Sequence, residues 1–157
     1  MLHTVQDKLT GINPLTYFKD TVVCLMIKRE VMAYGVIRHY INVKSKMLLY
    51  LHSICVPEKH RRRGLCDLLI RHIKKKCPDA YITLDVKTEK KNANLPAIKC
   101  YVKNGFSFSS LHYNIHSEKH SMMIYNPSKK KTNDVLTDKF IYMVIHKDPP
   151  FNLELLE

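Results

Sequence analysis

The segment Ile54-Cys55-Val56-Pro57-Glu58-Lys59-His60-Arg61-Arg62-Arg63-Gly64-Leu65-Cys66 decides how the rest of the chain is read, because the hydrophobic pattern changes period within it. Met47 to Val56 reads as a long strand leading into the segment. After Gly64, the residues Leu65, Leu68, Leu69, His72 and Ile73 recur at helical spacing until Cys77-Pro78 stops them. A basic turn lies between. A strand that passes through such a turn into a helix presents the helix's unpaired N–H groups and positive dipole end, which bind phosphate oxygens. Arg61, Arg62 and Arg63 can add charge-assisted hydrogen bonds to the same oxygens, and Gly64 places no Cβ between backbone and ligand. Two readings stand on these grounds: a phosphate cradle, or an exposed basic loop that caps a helix. No G-x-x-x-x-G-K-[ST] occurs, which argues against a P-loop kinase or ATPase.

Outward from this segment the order of elements follows. Upstream, Val22 to Arg29 and Val31 to Tyr40 read as a hairpin around Glu30. Residues 1 to 20, interrupted by Gly11, Asn13 and Pro14, leave room for at most a short strand and a short helix. Downstream, Tyr81 to Val86 suits a buried strand, and Leu95 to Asn104 returns to helical spacing through Ile98, Tyr101 and Val102. Asn104-Gly105 supplies the stop. Phe106 to Ile115, His120 to Tyr125 and Lys139 to His146 read as further strands, and Pro149-Pro150 ends the ordered core. The pattern predicts an α/β (α+β) fold, a mixed sheet with helices packed on its faces.

Composition bounds the class. The 157 residues suit one domain spanning 1–157. The longest purely apolar run, Val22 to Ile27, is far short of the roughly 18 residues needed to cross a bilayer. Cys24, Cys55, Cys66, Cys77 and Cys100 contain no C-x-x-C pair, so neither a disulfide framework nor a zinc ribbon is indicated. A soluble cytoplasmic protein, monomer or homodimer, is expected. The net charge of +12 attracts anions without choosing among them. Nucleic acid is the less favoured partner, because no helix-turn-helix, zinc-finger or RNA-recognition signature accompanies the lysines.

Arg61-Arg62-Arg63-Gly64-Leu65-Cys66 resembles the [RQ]-x-x-G-x-[GA] signature with which the GNAT superfamily of N-acetyltransferases binds acetyl-CoA, with Cys66 in place of glycine or alanine. A second stretch, Asn94-Leu95-Pro96-Ala97-Ile98-Lys99-Cys100-Tyr101-Val102-Lys103-Asn104-Gly105-Phe106, is similar to the family's N-x-x-A-x-x-x-Y-x-x-x-G-F. The resemblance covers about residues 22–125. It implies the GNAT fold: a mixed, mostly antiparallel twisted sheet splayed at its centre, helices on both faces, and N-terminal helices here shortened, with the strand read at about 139–146 as an extra C-terminal one.

The resemblance also implies roles. Acetyl-CoA, as acetyl donor and with no metal, would bind along the backbone of Ile54 and Val56, over Arg61, Arg62, Arg63, Gly64, Leu65 and Cys66, and beside Asn94 and Tyr101. Tyr101 would protonate the departing thiolate, and Asn94 would touch the pantetheine or cap its helix. The family's glutamate on the strand before the cradle is missing. Tyr50 and Asp85 stand where some N-terminal acetyltransferases of the family place a water-holding tyrosine and a histidine, which makes them the candidate water-mediated base; His52 is the runner-up. The acceptor would be an amine of a protein, a polyamine or an aminoglycoside, and Tyr113 falls in the acceptor-contacting region. Two other readings stay open. His112, His116 and His120 repeat every four residues, a spacing that could hold a metal. A scaffold that has lost catalysis and binds nucleic acid or protein through its basic surface is the rival from another class.

Overall fold

The computed structural model describes residues 2–9, 17–91, 93–128, 135–146 and 155–156. Strands β1 (Leu2–Leu9), β2 (Tyr17–Ile27), β3 (Glu30–Val43) and β4 (Lys46–Cys55) are followed by a single 3₁₀ turn at Glu58–His60 and helix α1 (Leu65–Lys76). Then come β5 (Tyr81–Lys87), α2 (Leu95–Lys103), β6 (Ser107–Ile115), β7 (Glu118–Tyr125), α3 (Asp138–His146) and β8 (Leu155–Leu156). The eight strands form one sheet in the order β1-β2-β3-β4-β5-β7-β6-β8. Among the described residues only β4 and β5 pair in parallel.

Hairpins dominate because three two-residue turns close them. Lys28-Arg29, Lys44-Ser45 and His116-Ser117 all have positive φ at both residues, the type I′ geometry whose twist matches that of paired strands.

Strand alternation sorts the core into two layers. On one face Leu49, Leu51, Ile82, Leu84 and Val86 pack under Leu69, Ile70 and Ile73 of α1 and Tyr101 of α2. On the other, Leu48, Tyr81, Leu111, Tyr113 and Met122 pack under Ile141, Val144 and Ile145 of α3. Helices therefore cover both faces of a mixed, mostly antiparallel sheet, as expected.

One expectation is corrected. Lys139 to His146 is helix, not strand. Its β-branched and aromatic residues favour strands locally, but burial falls on Ile141, Val144 and Ile145, one helical stripe. Thr137 starts the helix, its Oγ1 accepting the Phe140 N–H at 3.2 Å. At the other end of the chain residues 2–9 and 17–20 are strand, and residues 10–16, where a short helix would fit, lie outside the described residues. Gly11, Asn13, Pro14 and Pro149-Pro150 lie outside the described residues.

Candidate active site

The site begins where β4 and β5 part. They pair only at Leu48–Tyr81, Leu49–Ile82 and Tyr50–Thr83. Beyond these pairs each strand keeps its other neighbour, β4 bonding to β3 as far as Cys55–Tyr34 and β5 to β7 as far as Lys87–His120. The facing edges of Leu51 to Cys55 and Leu84 to Lys87 are thus unpaired with each other. A splayed pair of edges offers backbone donors and acceptors to an inserted amide-bearing chain. The register on β3 slips between Ser53 and Leu51, so His52 is an extra residue, a bulge beside the splay.

At the far end of β4 lies the basic turn. The Arg61 Nε–H donates to the Val56 carbonyl at 3.0 Å, bracing the loop from within, and Arg61, Arg62, Arg63 and Gly64 are all exposed. His60 is buried and bonds through Nε2 to Glu30 at 3.1 Å, which ties the loop to the β2–β3 turn. Gly64 has φ 71°, and a Cβ there would meet nothing within 4 Å. The start of α1 has no side-chain cap. An open, uncapped helix N-terminus under three arginines fits a phosphate-bearing coenzyme.

Leu65 and Cys66 begin α1 half-buried. Cys66 packs against the first core layer, as do Cys100 and Ile54. Its thiol is raised by interaction with Cys100 and by burial, and so stays neutral. The departure from the signature therefore adds bulk toward the core.

Asn94 caps α2, its Oδ1 accepting the Ala97 N–H at 3.2 Å. The far end of α2 closes as expected: Gly105, at φ 90°, donates to the Val102 carbonyl and Phe106 to the Tyr101 carbonyl. Tyr101 is 8% exposed, its ring 5.8 Å from that of Phe106. Burial raises its pKa, with Cys66 and Cys100 adding to the shift, so the phenol keeps its proton at neutral pH.

The opposite face of the sheet carries the second group. Asp85 takes hydrogen bonds from the hydroxyls of Tyr50 on β4 and Tyr113 on β6, and His146 Nε2 lies 3.1 Å from its Oδ1. Burial alone would push the carboxyl up. The bonds from His146, Tyr113 and Tyr50 outweigh it and hold the group below the ordinary carboxylate range. Tyr50 and Tyr113 are raised, by burial and then by the Asp85 charge, and remain donors.

The expected pair Tyr50 and Asp85 is therefore brought together. Tyr113 is wholly buried, facing Asp85 and not an acceptor surface, because it occupies an inward position of β6. His52 is exposed with its ring 5.7 Å from Tyr50, and partial desolvation lowers its pKa. His146 was missed with its helix. The Thr137-Asp138 start and the 141, 144, 145 spacing were the signal that could have found it.

The histidine repeat does not converge. His112 is exposed, His116 sits in a turn, and His120 Nδ1 lies 2.8 Å from the Glu118 carbonyl oxygen. Among the described residues no three His, Cys, Asp or Glu side chains are grouped to hold a metal. A cavity of about 620 Å³ lies at the other end of the sheet, between Lys46, Lys76, Asp79 and Tyr81, away from the cradle and from Asp85.

The sequence profile of the acetyltransferase (GNAT) family matches residues 6–106, and the chain belongs to that family. Among solved structures it is similar to Arabidopsis thaliana Naa50 in complex with the bisubstrate analogue CoA-Ac-MVNAL, at 20% identity over 69% of this chain and 72% of that one, with a TM-score of 0.54. It is similar to Arabidopsis thaliana NAA60 in complex with acetyl-CoA, at 16% identity over 70% and 76%, TM-score 0.53. A Bacillus subtilis acetyltransferase in complex with CoA aligns at 12% identity over 69% and 76%, TM-score 0.51. No curated protein sequence matches the chain. These likenesses define the fold, an acetyltransferase fold of the α+β class.

Proposed function

We propose that this protein is an N-acetyltransferase that moves the acetyl group of acetyl-CoA to a primary amine by direct attack. One observation carries the reading: β4 and β5 part just beyond Tyr50, with the uncapped α1 and its arginines past the end of β4 and a protonated tyrosine on one face of the sheet opposite a buried carboxylate cluster on the other. Arg61, Arg62, Arg63 and the α1 amides from Leu65 onward would hold the pyrophosphate, and the edge of β4 from Ile54 to Val56 would pair with the pantetheine arm. Bound there, acetyl-CoA supplies an activated thioester carbonyl.

The chain's own groups do the rest. Tyr101, kept protonated by burial, donates to the leaving sulfur. The edge of β4 at the His52 bulge, which β5 does not pair, is suited to polarising the acetyl oxygen through its backbone N–H groups. Tyr50 and Asp85 organise the proton-accepting side. The splayed edges hold the reactants in line, which is where most of the rate gain from proximity arises.

Thermal unfolding with and without acetyl-CoA tests the coenzyme site, with ATP as the anionic control. At a concentration 100 times its Kd the coenzyme stabilises by about 2.7 kcal/mol. A rise with acetyl-CoA alone, followed by thiol release with a panel of α-amino peptides and small diamines, supports the reading. Tyr101→Phe is expected to keep the coenzyme shift and lose about 100-fold in turnover. Stabilisation without turnover by any amine would favour the rival, a coenzyme-binding scaffold.

A further inference from the structure

The buried cluster around Asp85 contains more than a carboxylate and a tyrosine. Oδ1 accepts from Tyr113 and His146, and Oδ2 from Tyr50. An anion with three donors and a side chain 9% exposed is already satisfied. It is a poor place for a further proton, and a carboxyl of low basicity is mismatched to a base working near neutral pH.

His146 has the complementary properties. Asp85 is an ionised acceptor, so Nε2 of His146 must carry the hydrogen, and in the neutral ring the lone pair then sits on Nδ1. Nδ1 makes no hydrogen bond among the described residues. The ring is held by aromatic neighbours from three elements: Tyr50 at 5.7 Å edge-on, Tyr113 at 5.3 Å and Tyr142 at 5.1 Å. Among the described residues these three and Asp85 are the titratable groups packed against it; His52 and Arg38 lie further out, beside Tyr50. The ring is thus aimed by a carboxylate on one nitrogen and, among the described residues, unbonded at the other, the arrangement in which a histidine takes up a proton.

We propose that His146 is the proton acceptor of acetyl transfer and that Asp85 is the positioning residue that orients it. The inference rests on the acetyltransferase reading above. The amine nitrogen forms its bond to the acetyl carbon, the carbon–sulfur bond breaks, and the electron pair leaves on sulfur. Tyr101 gives sulfur its proton. The surplus amine proton passes to His146 Nδ1, directly or through one water, and returns by solvent to Tyr101. The imidazolium formed is stabilised by Asp85, which stays ionised. Helix α3 is accordingly the element that completes the proton path.

The test uses the full chain and the best amine from the panel. His146→Gln keeps a donor toward Asp85 but cannot titrate; turnover is expected to fall about 100-fold or more, and the acid limb of the rate profile to disappear. His52→Gln is expected to keep that limb, and His116→Gln, altered in an exposed turn, to behave as the unaltered protein. A readout independent of turnover is the imidazole titration of His146 by NMR. The NMR transition of this imidazole should coincide with the kinetic acid limb, and the two should move together in Asp85→Asn. Should His146→Gln fail to fold, this titration in the unaltered protein decides alone: a pKa away from the kinetic limb overturns the proposal. Unchanged turnover in His146→Gln, or loss of the limb in His52→Gln, also overturns it while leaving the acetyltransferase reading in place. Absence of turnover by the unaltered protein overturns both.

Discussion

Asp85 is the residue on which the second face depends, because it joins β4, β5, β6 and α3 through one side chain. Its folded pKa lies below the ordinary carboxylate value, so the folded state binds its proton less readily than the unfolded chain. The stabilisation is therefore present above the ordinary value, about 3.9, and is lost as the pH falls through the folded value. Asp85→Asn is expected to cost about 1–3 kcal/mol at pH 7, the penalty of leaving buried groups mismatched. The gap should narrow below about pH 4, and urea unfolding at pH 7 and pH 3.5 measures it. Both Asp85 and Tyr50 were legible as candidates through the family resemblance. Their hydrogen bond and the inward turn of Tyr113 follow from strand register, which residue identity does not reveal.

At the scale of elements, α3 shows where local preference was overruled. Phe140, Ile141, Tyr142, Val144 and Ile145 are better strand formers than helix formers. The helix persists because one turn-spaced stripe of them buries against the sheet, and tertiary burial outweighs a few tenths of a kcal/mol per residue in propensity. Ile141 is 0% exposed. Ile141→Ala should cost about 2–5 kcal/mol, read from chemical denaturation. Because the same helix carries His146, the variant should also lose turnover more than it loses acetyl-CoA binding. The hairpin turns are the converse case. Lys28-Arg29, Lys44-Ser45 and His116-Ser117 contain no glycine or asparagine to announce a type I′ turn, so strand boundaries in the sequence were blurred there. By contrast, Asn94, Asn104 and Gly105 announced both ends of α2.

Across the whole molecule, the charge of +12 acts on the ligand and on the fold in opposite directions. On the proposed reading it draws an anionic coenzyme toward the arginine loop, and it repels itself in the compact state. Raising salt from low to high ionic strength is expected to weaken acetyl-CoA binding by on the order of tenfold, since exposed charges are screened beyond the Debye length. The unliganded melting temperature should hold or rise over the same range. Calorimetric titration and thermal scans at matched salt separate the two effects. A binding constant insensitive to salt would mean that Arg61, Arg62 and Arg63 are not the phosphate contacts.

Sequence alone determined the family, the positions of α1, α2 and the central strands, and the basic turn from Arg61 into α1. These rest on short-range information: hydrophobic period, caps, and two motifs whose residues are neighbours along the chain. Only the tertiary structure decided that the chain's last described helix is a helix, that it covers the second face of the sheet, and that it sets His146 against Asp85. Those two residues are far apart in sequence and meet because α3 must bury its apolar stripe on the same face that the alternation of β5 gives to Asp85.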